Sequence, residues 1–396
     1  MTAIAAMNRP VALWRNARFR RIAFQVVFAL CVLVLLNFIL ERAFDLGFGY
    51  DFMDRRAGFG AEGKTIPDLS SPFDLQDYGA NNSYRDAYVL GLLNTMRVAA
   101  IGILLASIVG LIAGVARLSG NWLVSHLAAA YVEVFRNTPL IVQLVFWYSA
   151  VFLQLPPISE SVSLFDVVFV SNRAAAIPSL STHEGIGLFL AVGAIGVIAG
   201  LVVHRLLIRQ HERTGQERYP GWTALAVFAG VAGLGFLASG LPLSVDIPDR
   251  GERSYSGGLQ MSPEFAALLV ALVLYTGAFI AEVVRGSILA IPRAQTEAAA
   301  ALGLNFFQRL NLVVLPQALR IMIPPLTNQY LNLTKNSSLA VAIAFPELVS
   351  VSRTIINQTG EAVSMVVLVM ATYLTLSLTI SLVMNTINWR LRSTPG

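Results

Sequence analysis

The sequence predicts an all-α polytopic membrane protein with about eight transmembrane helices. Of its 396 residues, 56% are hydrophobic and 13% are charged, whereas charged residues make up roughly a quarter of ordinary soluble domains. Apolar stretches of about twenty residues recur along the chain, and helices of that length cross a hydrocarbon core with their backbone groups satisfied. Unbroken runs such as FALCVLVLLNFIL favour helices over barrel strands, because barrel strands alternate over shorter segments.

The apolar stretches define the expected spans and their orientation. The first 22 residues contain five arginines and no acidic residue, so the positive-inside rule places the N-terminus in the cytoplasm. Alternation across an even number of spans then places both termini and the segment 286–317 on the cytoplasmic side. The expected spans are 23–41, 88–115, 128–154, 185–208, 221–240, 263–285, 318–345 and 363–386.

Composition gives no support to metal or cofactor chemistry. The single cysteine, Cys31, lies inside the first apolar run, and the four histidines are scattered without the spacing of a zinc helix. We therefore expect no disulfide within the chain, no metal site, no catalytic residues and no cofactor bound by this chain.

Residues 58–65, GFGAEGKT, match the phosphate-binding pattern G-x-x-x-x-G-K-[ST] letter for letter. That pattern binds phosphate only when a buried strand leads into the loop and a helix follows it. Charged residues precede this segment, and Pro67 and Pro72 discourage a following helix. We interpret the segment as part of an outer loop, so the chain is not predicted to be an ATPase.

The segment 286–317 is a long cytoplasmic loop whose sequence is itself patterned for structure. Pro292 suits a first helical turn, and Gly303 suits the residue that follows a helix C-terminus. Between them lies a run of helix-permissive residues that begins at Glu297 and is rich in alanine. This pattern predicts a short helix.

A second helix is predicted directly after the first. Asn305 and Gln308 have the spacing of a capping box, and an apolar stretch continues until Leu315 and Pro316 are expected to halt it. The pattern predicts a helix-turn-helix on the inner face of the membrane. Its alanine-lined first helix suits close approach of another protein, but an amphipathic hairpin lying at the membrane surface is an equal alternative.

The same segment resembles the EAA signature of ABC importer permeases. The order is E-A-A, three residues, Gly, nine residues, an aliphatic residue, one residue and Leu-Pro. The flanking stretches YTGAFIAEVVRGSI and LPQALRIMIPPLTNQYLNLTKNSSL resemble the polar amino-acid permeases of histidine, glutamine and general L-amino-acid uptake systems. The matching residues are Glu297, Ala298, Ala299, Gly303, Val313, Leu315 and Pro316.

This resemblance implies a five-helix ABC type I importer permease core with additions. Residues 88–154 and 263–390 correspond to the two parts of the core. Residues 1–87 add a cytoplasmic N-terminus, a first transmembrane helix and an outer loop, and residues 155–262 add an insertion with two further helices. Residues 391–396 form a cytoplasmic tail.

The resemblance also implies a function and partners. It implies a permease subunit of an ATP-binding cassette importer for polar L-amino acids in the bacterial inner membrane, with Glu297 and Gly303 in the coupling region. The expected partners are cytoplasmic ATP-binding subunits, which use ATP, a second homologous permease or a second copy of this chain, and a periplasmic binding protein. The alternatives are an ion-coupled secondary amino-acid transporter and, more remotely, a membrane enzyme.

Polar side chains in the seventh expected span indicate where substrate passes. A charge at mid-bilayer costs about 2.5–3.5 kcal/mol on insertion scales, so we expect Lys335 to face a cavity or a partner. Asn332 and Asn336 lie beside it, and we expect these three residues to line or support the translocation path. Snorkelling or a structural ion pair is the alternative. In the sixth span, Glu282 and Arg285 have the spacing of an ion pair on one helix.

Overall fold

The computed structural model describes residues 49–59, 79, 81–182, 185–214, 220–240 and 243–393, together with residues 27 and 34. The expected first span therefore lies almost entirely outside the described residues, as do residues 60–65 of the GFGAEGKT segment. The helices are α1 (Tyr84–Ala116), α2 (Trp122–Asn137), α3 (Leu140–Val145), α4 (Ile186–Thr214), α5 (Pro220–Ala238), α6 (Pro263–Leu289), α7 (Arg293–Ala301), α8 (Phe306–Arg309), α9 (Leu315–Asn336), α10 (Leu348–Thr359) and α11 (Ala362–Ser393).

Six helices in the described part of the chain are long and apolar enough to cross a membrane. They correspond to six of the eight expected spans, and the all-α polytopic fold is confirmed. Each agrees with its expected span to within about eleven residues at either end. The six are Tyr84–Ala116, Ile186–Gln210, Gly221–Ala238, Pro263–Leu289, Phe307–Ile343 and Ala362–Leu391.

The expected continuous span at 128–154 is wrong, because the helix breaks at Pro139. Thr138 is extended, with φ −98° and ψ 127°, since a residue before proline avoids the helical conformation. The Gln143 side-chain amide donates to the carbonyl oxygens of Phe135 at 2.8 Å and Thr138 at 2.9 Å. These two hydrogen bonds hold α2 and α3 together across the break. Beyond α3, further helical turns extend to Gln154.

Helices α1 and α6 approach each other closely at glycines of α1. A Cβ atom on Gly110 would lie 2.5 Å from Ile280, and one on Gly114 would lie 2.7 Å from Val284. Small residues at every fourth position let helix backbones come together in membranes. A Cβ on Gly102, which continues this spacing, would lie 3.2 Å from Leu333 of α9. The glycines of α1 therefore set the packing of three spans.

A small β structure joins α3, the helix pair α4 and α5, and α6. The strand order of its main sheet is β1-β2-β3-β8, and β3 pairs with β8 through Ala175 and Met261. Since β8 leads directly into α6, we call this side of the molecule the sheet end and the opposite side, with residues 290–314, the loop end. The strands are β1 (Val162–Leu164), β2 (Val168–Val170), β3 (Ala175–Ile177), β4 (Ser179–Thr182), β5 (Leu243–Asp246), β6 (Asp249–Arg250), β7 (Tyr255–Ser256) and β8 (Leu259–Met261).

The α4–α5 pair is a membrane hairpin held at its base by β4 and β5, which pair antiparallel from Ser179↔Asp246 to Thr182↔Leu243. Glycines again allow close helix contact, because a Cβ on Gly235 would lie 2.6 Å from Val192. The two helices leave most of their surface exposed, as expected for helices surrounded by lipid.

The segment 346–362, between two expected spans, contains the helix α10, which the sequence patterns did not predict. Glu347 is fully buried and caps this helix by accepting hydrogen bonds from the N–H groups of Val349 at 2.9 Å and Ser350 at 2.7 Å. Burial raises the pKa of the Glu347 carboxyl, and these N–H groups lower it in part. Gly360 ends the helix with φ +78°.

The close contact of α1 and α6 can be tested at Gly110. The added methyl of Gly110→Ala would overlap Ile280, so we expect a loss of about 1–3 kcal/mol of stability. The measurement is the thermal midpoint of the purified protein in detergent. The matched control is Gly233→Ala on α5, where the added methyl meets no atom within 4 Å. Equal midpoints for the two variants would contradict this packing.

Candidate functional site

The loop end contains a short capped helix, as the sequence predicted. Helix α7 follows Pro292, and Gly303 adopts the left-handed conformation with φ +79°. The N–H of Gly303 donates to Ala300 O at 2.9 Å, and the N–H of Leu304 donates to Ala299 O at 3.2 Å. These two bonds form a Schellman motif, which satisfies carbonyls that the helix end would leave unpaired.

The second helix of this loop begins with the expected capping box. The Asn305 N–H donates to Gln308 Oε1, and the Gln308 N–H donates to Asn305 Oδ1, both at 2.9 Å. The expectation that Leu315 and Pro316 halt this helix is wrong. Pro316 lies in the first turn of α9, where a missing N–H costs little. A π-helical stretch, Leu310–Val314, joins α8 to α9, so the second helix runs into a membrane span.

Most of the predicted coupling residues lie on the surface of this loop. Glu297, Ala298 and Gly303 are exposed, whereas Ala299 is buried against the turn. Leu315 is 39% exposed and Pro316 is partly buried. The carboxylate of Glu297 has no hydrogen-bond or ion-pair partner in the described part of the chain.

Large apolar side chains, Leu302 and Phe307 among them, project from the same loop. Leu302 is 81% exposed and Phe307 is 73% exposed. The sequence patterns singled out neither residue, although a large apolar residue directly before the helix-capping glycine Gly303 was a usable signal. An exposed leucine and phenylalanine beside an alanine-rich helix are features of a protein-binding surface.

Helix α9 has one face buried in the protein and one polar face exposed. Leu333 and Thr334 pack inward, and the hydroxyl of Tyr330 lies 2.9 Å from that of Ser107 on α1. The opposite face carries Asn328, Asn332 and Lys335, which are exposed and whose side chains have no partner among the described residues. We call these three residues the polar face of α9; Asn336 lies at its edge and is partly buried.

The structure does not bring the two sets of predicted site residues together. The coupling residues lie at the loop end of α9, and Lys335 lies twenty residues along the helix, roughly 30 Å away at 1.5 Å per residue. The predicted path residues Asn332 and Lys335 are joined on their face by Asn328, a residue that the prediction left out. A structural ion pair, which was one alternative for Lys335, is not present among the described residues.

The expected ion pair on α6 is present and is part of a larger cluster. Glu282 accepts from Arg285 of the same helix at 2.8 Å. Arg117, which follows α1, and Arg136 of α2 bind the same carboxylate, the latter at 3.6 Å. Sequence spacing could not reveal the last two contacts, because they join residues more than a hundred positions apart.

Taken together, the fold and the exposed loop are those of a polytopic membrane protein with an ordered helical loop between two spans. Residues 102–393 match the family described as binding-protein-dependent transport system inner membrane component. The match covers well over half of the chain, and the chain belongs to this family. The expectation of an importer permease subunit, drawn from the EAA signature, is therefore confirmed, and the secondary-transporter alternative gains no support.

Three relatives align with most of this chain. It is 41% identical over 377 residues to the general L-amino acid transport system permease protein AapQ of Rhizobium johnstonii, across 94% of this chain and 92% of that protein. It is 43% identical over 347 residues to the putative amino-acid ABC transporter permease protein YhdX of Escherichia coli K12, across 87% and 85% of the two chains. It is 36% identical over 413 residues to the glutamate/glutamine/aspartate/asparagine transport system permease protein BztB of Rhodobacter capsulatus, across 94% of each.

The rigidity of the loop between α6 and α9, residues 290–314, can be tested at Gly303. Valine disfavours the left-handed conformation strongly, whereas asparagine tolerates it. We expect Gly303→Val to introduce about 1–2 kcal/mol of local strain, which corresponds to a roughly 5–30-fold larger unwound fraction of α7. The measurement is the rate of tryptic cleavage after Arg293 and Arg309 in the purified protein. Gly303→Asn is the matched control and should be cleaved at nearly the unchanged rate; equal rates for both variants would contradict the strain.

Proposed function

We propose that this chain is the transmembrane permease subunit of an ATP-driven importer for polar L-amino acids, and that a separate ATPase drives it through residues 290–314, which we call the coupling loop. The observation that carries the proposal is the capped and exposed helix α7, which stands between the spans α6 and α9. In this proposal the chain hydrolyses no ATP and binds no cofactor of its own.

The surface chemistry of the coupling loop supports docking of an ATP-binding subunit. The exposed alanines of α7 let another backbone approach closely, and Leu302 and Phe307 offer apolar contacts at its edges. Glu297 provides one unpaired anionic group, which a basic residue of the partner can bind. The Schellman motif and the capping box hold these groups in a fixed arrangement, so a force on α7 reaches α6 and α9 instead of being lost in a flexible loop.

The polar face of α9 supports a translocation path shared with a second permease subunit. A lysine and two asparagines within a membrane span are too costly to leave in contact with lipid. Nothing in the described part of this chain covers them. A second homologous permease, or a second copy of this chain, would cover the face and enclose a polar channel. Asn332, Lys335 and Asn336 are proposed to line that path.

Polar amino acids are the substrate class that the relatives favour. AapQ is named for general L-amino acids and BztB for glutamate, glutamine, aspartate and asparagine. The polar face of α9 combines amides with one cation. Amides can bind the ammonium or the side-chain amide of an amino acid, and a cation can bind its carboxylate.

The distribution of charge supports placement in the bacterial inner membrane with the loop end in the cytoplasm. Arginine is frequent at the loop end, for example Arg285, Arg293 and Arg309, as the positive-inside rule requires for cytoplasmic loops. The sheet end then faces the periplasm, where an extracytoplasmic binding protein would deliver substrate. Both chain termini would be cytoplasmic.

The docking role of α7 is tested by charge reversal at its exposed carboxylate. We expect Glu297→Arg to reduce ATP-driven amino-acid uptake roughly tenfold or more, because it opposes the charge that a partner would meet there. The measurement is uptake in vesicles that contain the co-purified ATP-binding subunit and the binding protein. The matched control is Glu160→Arg, the same change at an exposed position of the sheet end. Full uptake by Glu297→Arg together with retained ATPase would refute docking at α7.

The translocation path is tested by the water accessibility of α9. In a Cys31→Ser background, we expect the thiol of Asn332→Cys to react with a membrane-impermeant methanethiosulfonate. We expect free glutamine, added as a transport substrate, to slow this reaction. The control is Leu374→Cys, an exposed apolar position of α11 that should face lipid and stay unreactive. The measurement is the rate of thiol labelling in membranes. Equal labelling rates at both positions would contradict a translocation path along the polar face of α9.

A further inference from the structure

The Glu282 cluster joins three helices at the loop end through one carboxylate. Arg117 and Arg136 reach Glu282 from α1 and α2, and Arg285 reaches it from within α6. The Arg117 and Glu282 side chains are 14% and 31% exposed, so water screens the interaction only in part. Because three guanidinium groups share one carboxylate, Glu282 is the only group in the cluster that can hold them together.

Further contacts show that Arg136 joins α2 to α6 along a shared surface. The Arg136 guanidinium lies over the ring of Phe279, 5.3 Å from its centroid. The Tyr131 hydroxyl donates to Leu274 O of α6 at 2.8 Å. Val132 is fully buried beside these residues. Helix α2 therefore contacts the second half of α6 over about two turns.

The position of Glu282 on α6 relates the cluster to the coupling loop. Glu282 lies about two turns before Leu289, where α6 ends. Ile291 is 8% exposed and anchors the start of the loop in the core, and α7 begins two residues later. A displacement of α7 therefore reaches Glu282 through a short length of continuous helix.

We propose that Glu282 is a positioning residue that makes α1 and α2 move together with α6 when the coupling loop is displaced. The inference rests on the proposed function and names a residue through which the motion of the coupling loop would reach α1 and α2. Through Arg136, α2 follows α6, and the braced joint at Gln143 carries the motion into α3. Without the carboxylate, three like charges repel one another and α6 moves alone.

The experiment compares ATP hydrolysis with uptake in the reconstituted transporter. We expect Glu282→Gln to retain ATPase activity that responds to the loaded binding protein, while the amino acid taken up per ATP falls about fivefold or more. Glu282→Asp keeps the charge on a shorter side chain and should restore part of the amino-acid uptake per ATP hydrolysed. A merely structural role would lower both activities in proportion to the folded protein, and the ratio would stay unchanged.

Two arginines of the cluster provide a matched pair of variants. Arg136→Gln breaks a contact between helices, whereas Arg285→Gln breaks a contact within α6. We expect Arg136→Gln to lower uptake per ATP and Arg285→Gln to leave it close to the unchanged value. Equal ratios for the two variants would overturn the proposal. Failure of both variants to accumulate in the membrane would overturn it as well, because the cluster would then serve assembly alone.

The same experiment separates this inference from the proposed function. If the unchanged chain with its ATPase shows no ATP-dependent uptake of amino acids, the proposed function fails. If it shows uptake and Glu282→Gln has the same uptake per ATP, only the positioning role of Glu282 fails.

Discussion

The close contact between α1 and α6 is the constraint on which the rest of the structure depends. Gly110 and Gly114 leave no room for side chains, so the two backbones meet along the loop-end half of both helices. In lipid, apolar surface alone does not drive helices together, and close backbone packing supplies much of the attraction. This contact brings Arg117 beside Glu282 and gives α9 a surface on which to pack.

Hydrogen-bonding groups in this protein fall into two classes with different consequences. The side-chain N–H groups of Gln143, the Tyr131 hydroxyl and the Glu347 carboxylate are paired with backbone groups. The first holds the break between α2 and α3, the second joins α2 to α6, and the third holds the start of α10. The side chains of Asn332 and Lys335 are unpaired in the described chain and face outward from a span. Unpaired polar groups are expensive in a membrane, so under the proposed function the second class is where another subunit or the substrate would complete the protein.

The coupling loop shows that a connection between spans can be as ordered as a span. Its two helices are short, and isolated helices of that length are marginal in water. Here the glycine end of α7 and the capping box of α8 are satisfied by neighbouring residues within the loop. The exposed apolar residues therefore occupy defined positions, which a binding partner can recognise at a low entropic cost.

The sequence by itself determined six of the eight expected spans, the helix end at Gly303 and the capping box at Asn305, because each depends on groups near one another in the chain. It failed at Pro316, where the same residue can end one helix or begin the next and only the path of the chain decides. The pairing of Ala175 with Met261, the arginines that meet at Glu282 and the exposed face of α9 were decided by the tertiary structure. These features join residues that are distant in sequence, and their proximity arises only when helices pack through contacts that no local pattern encodes.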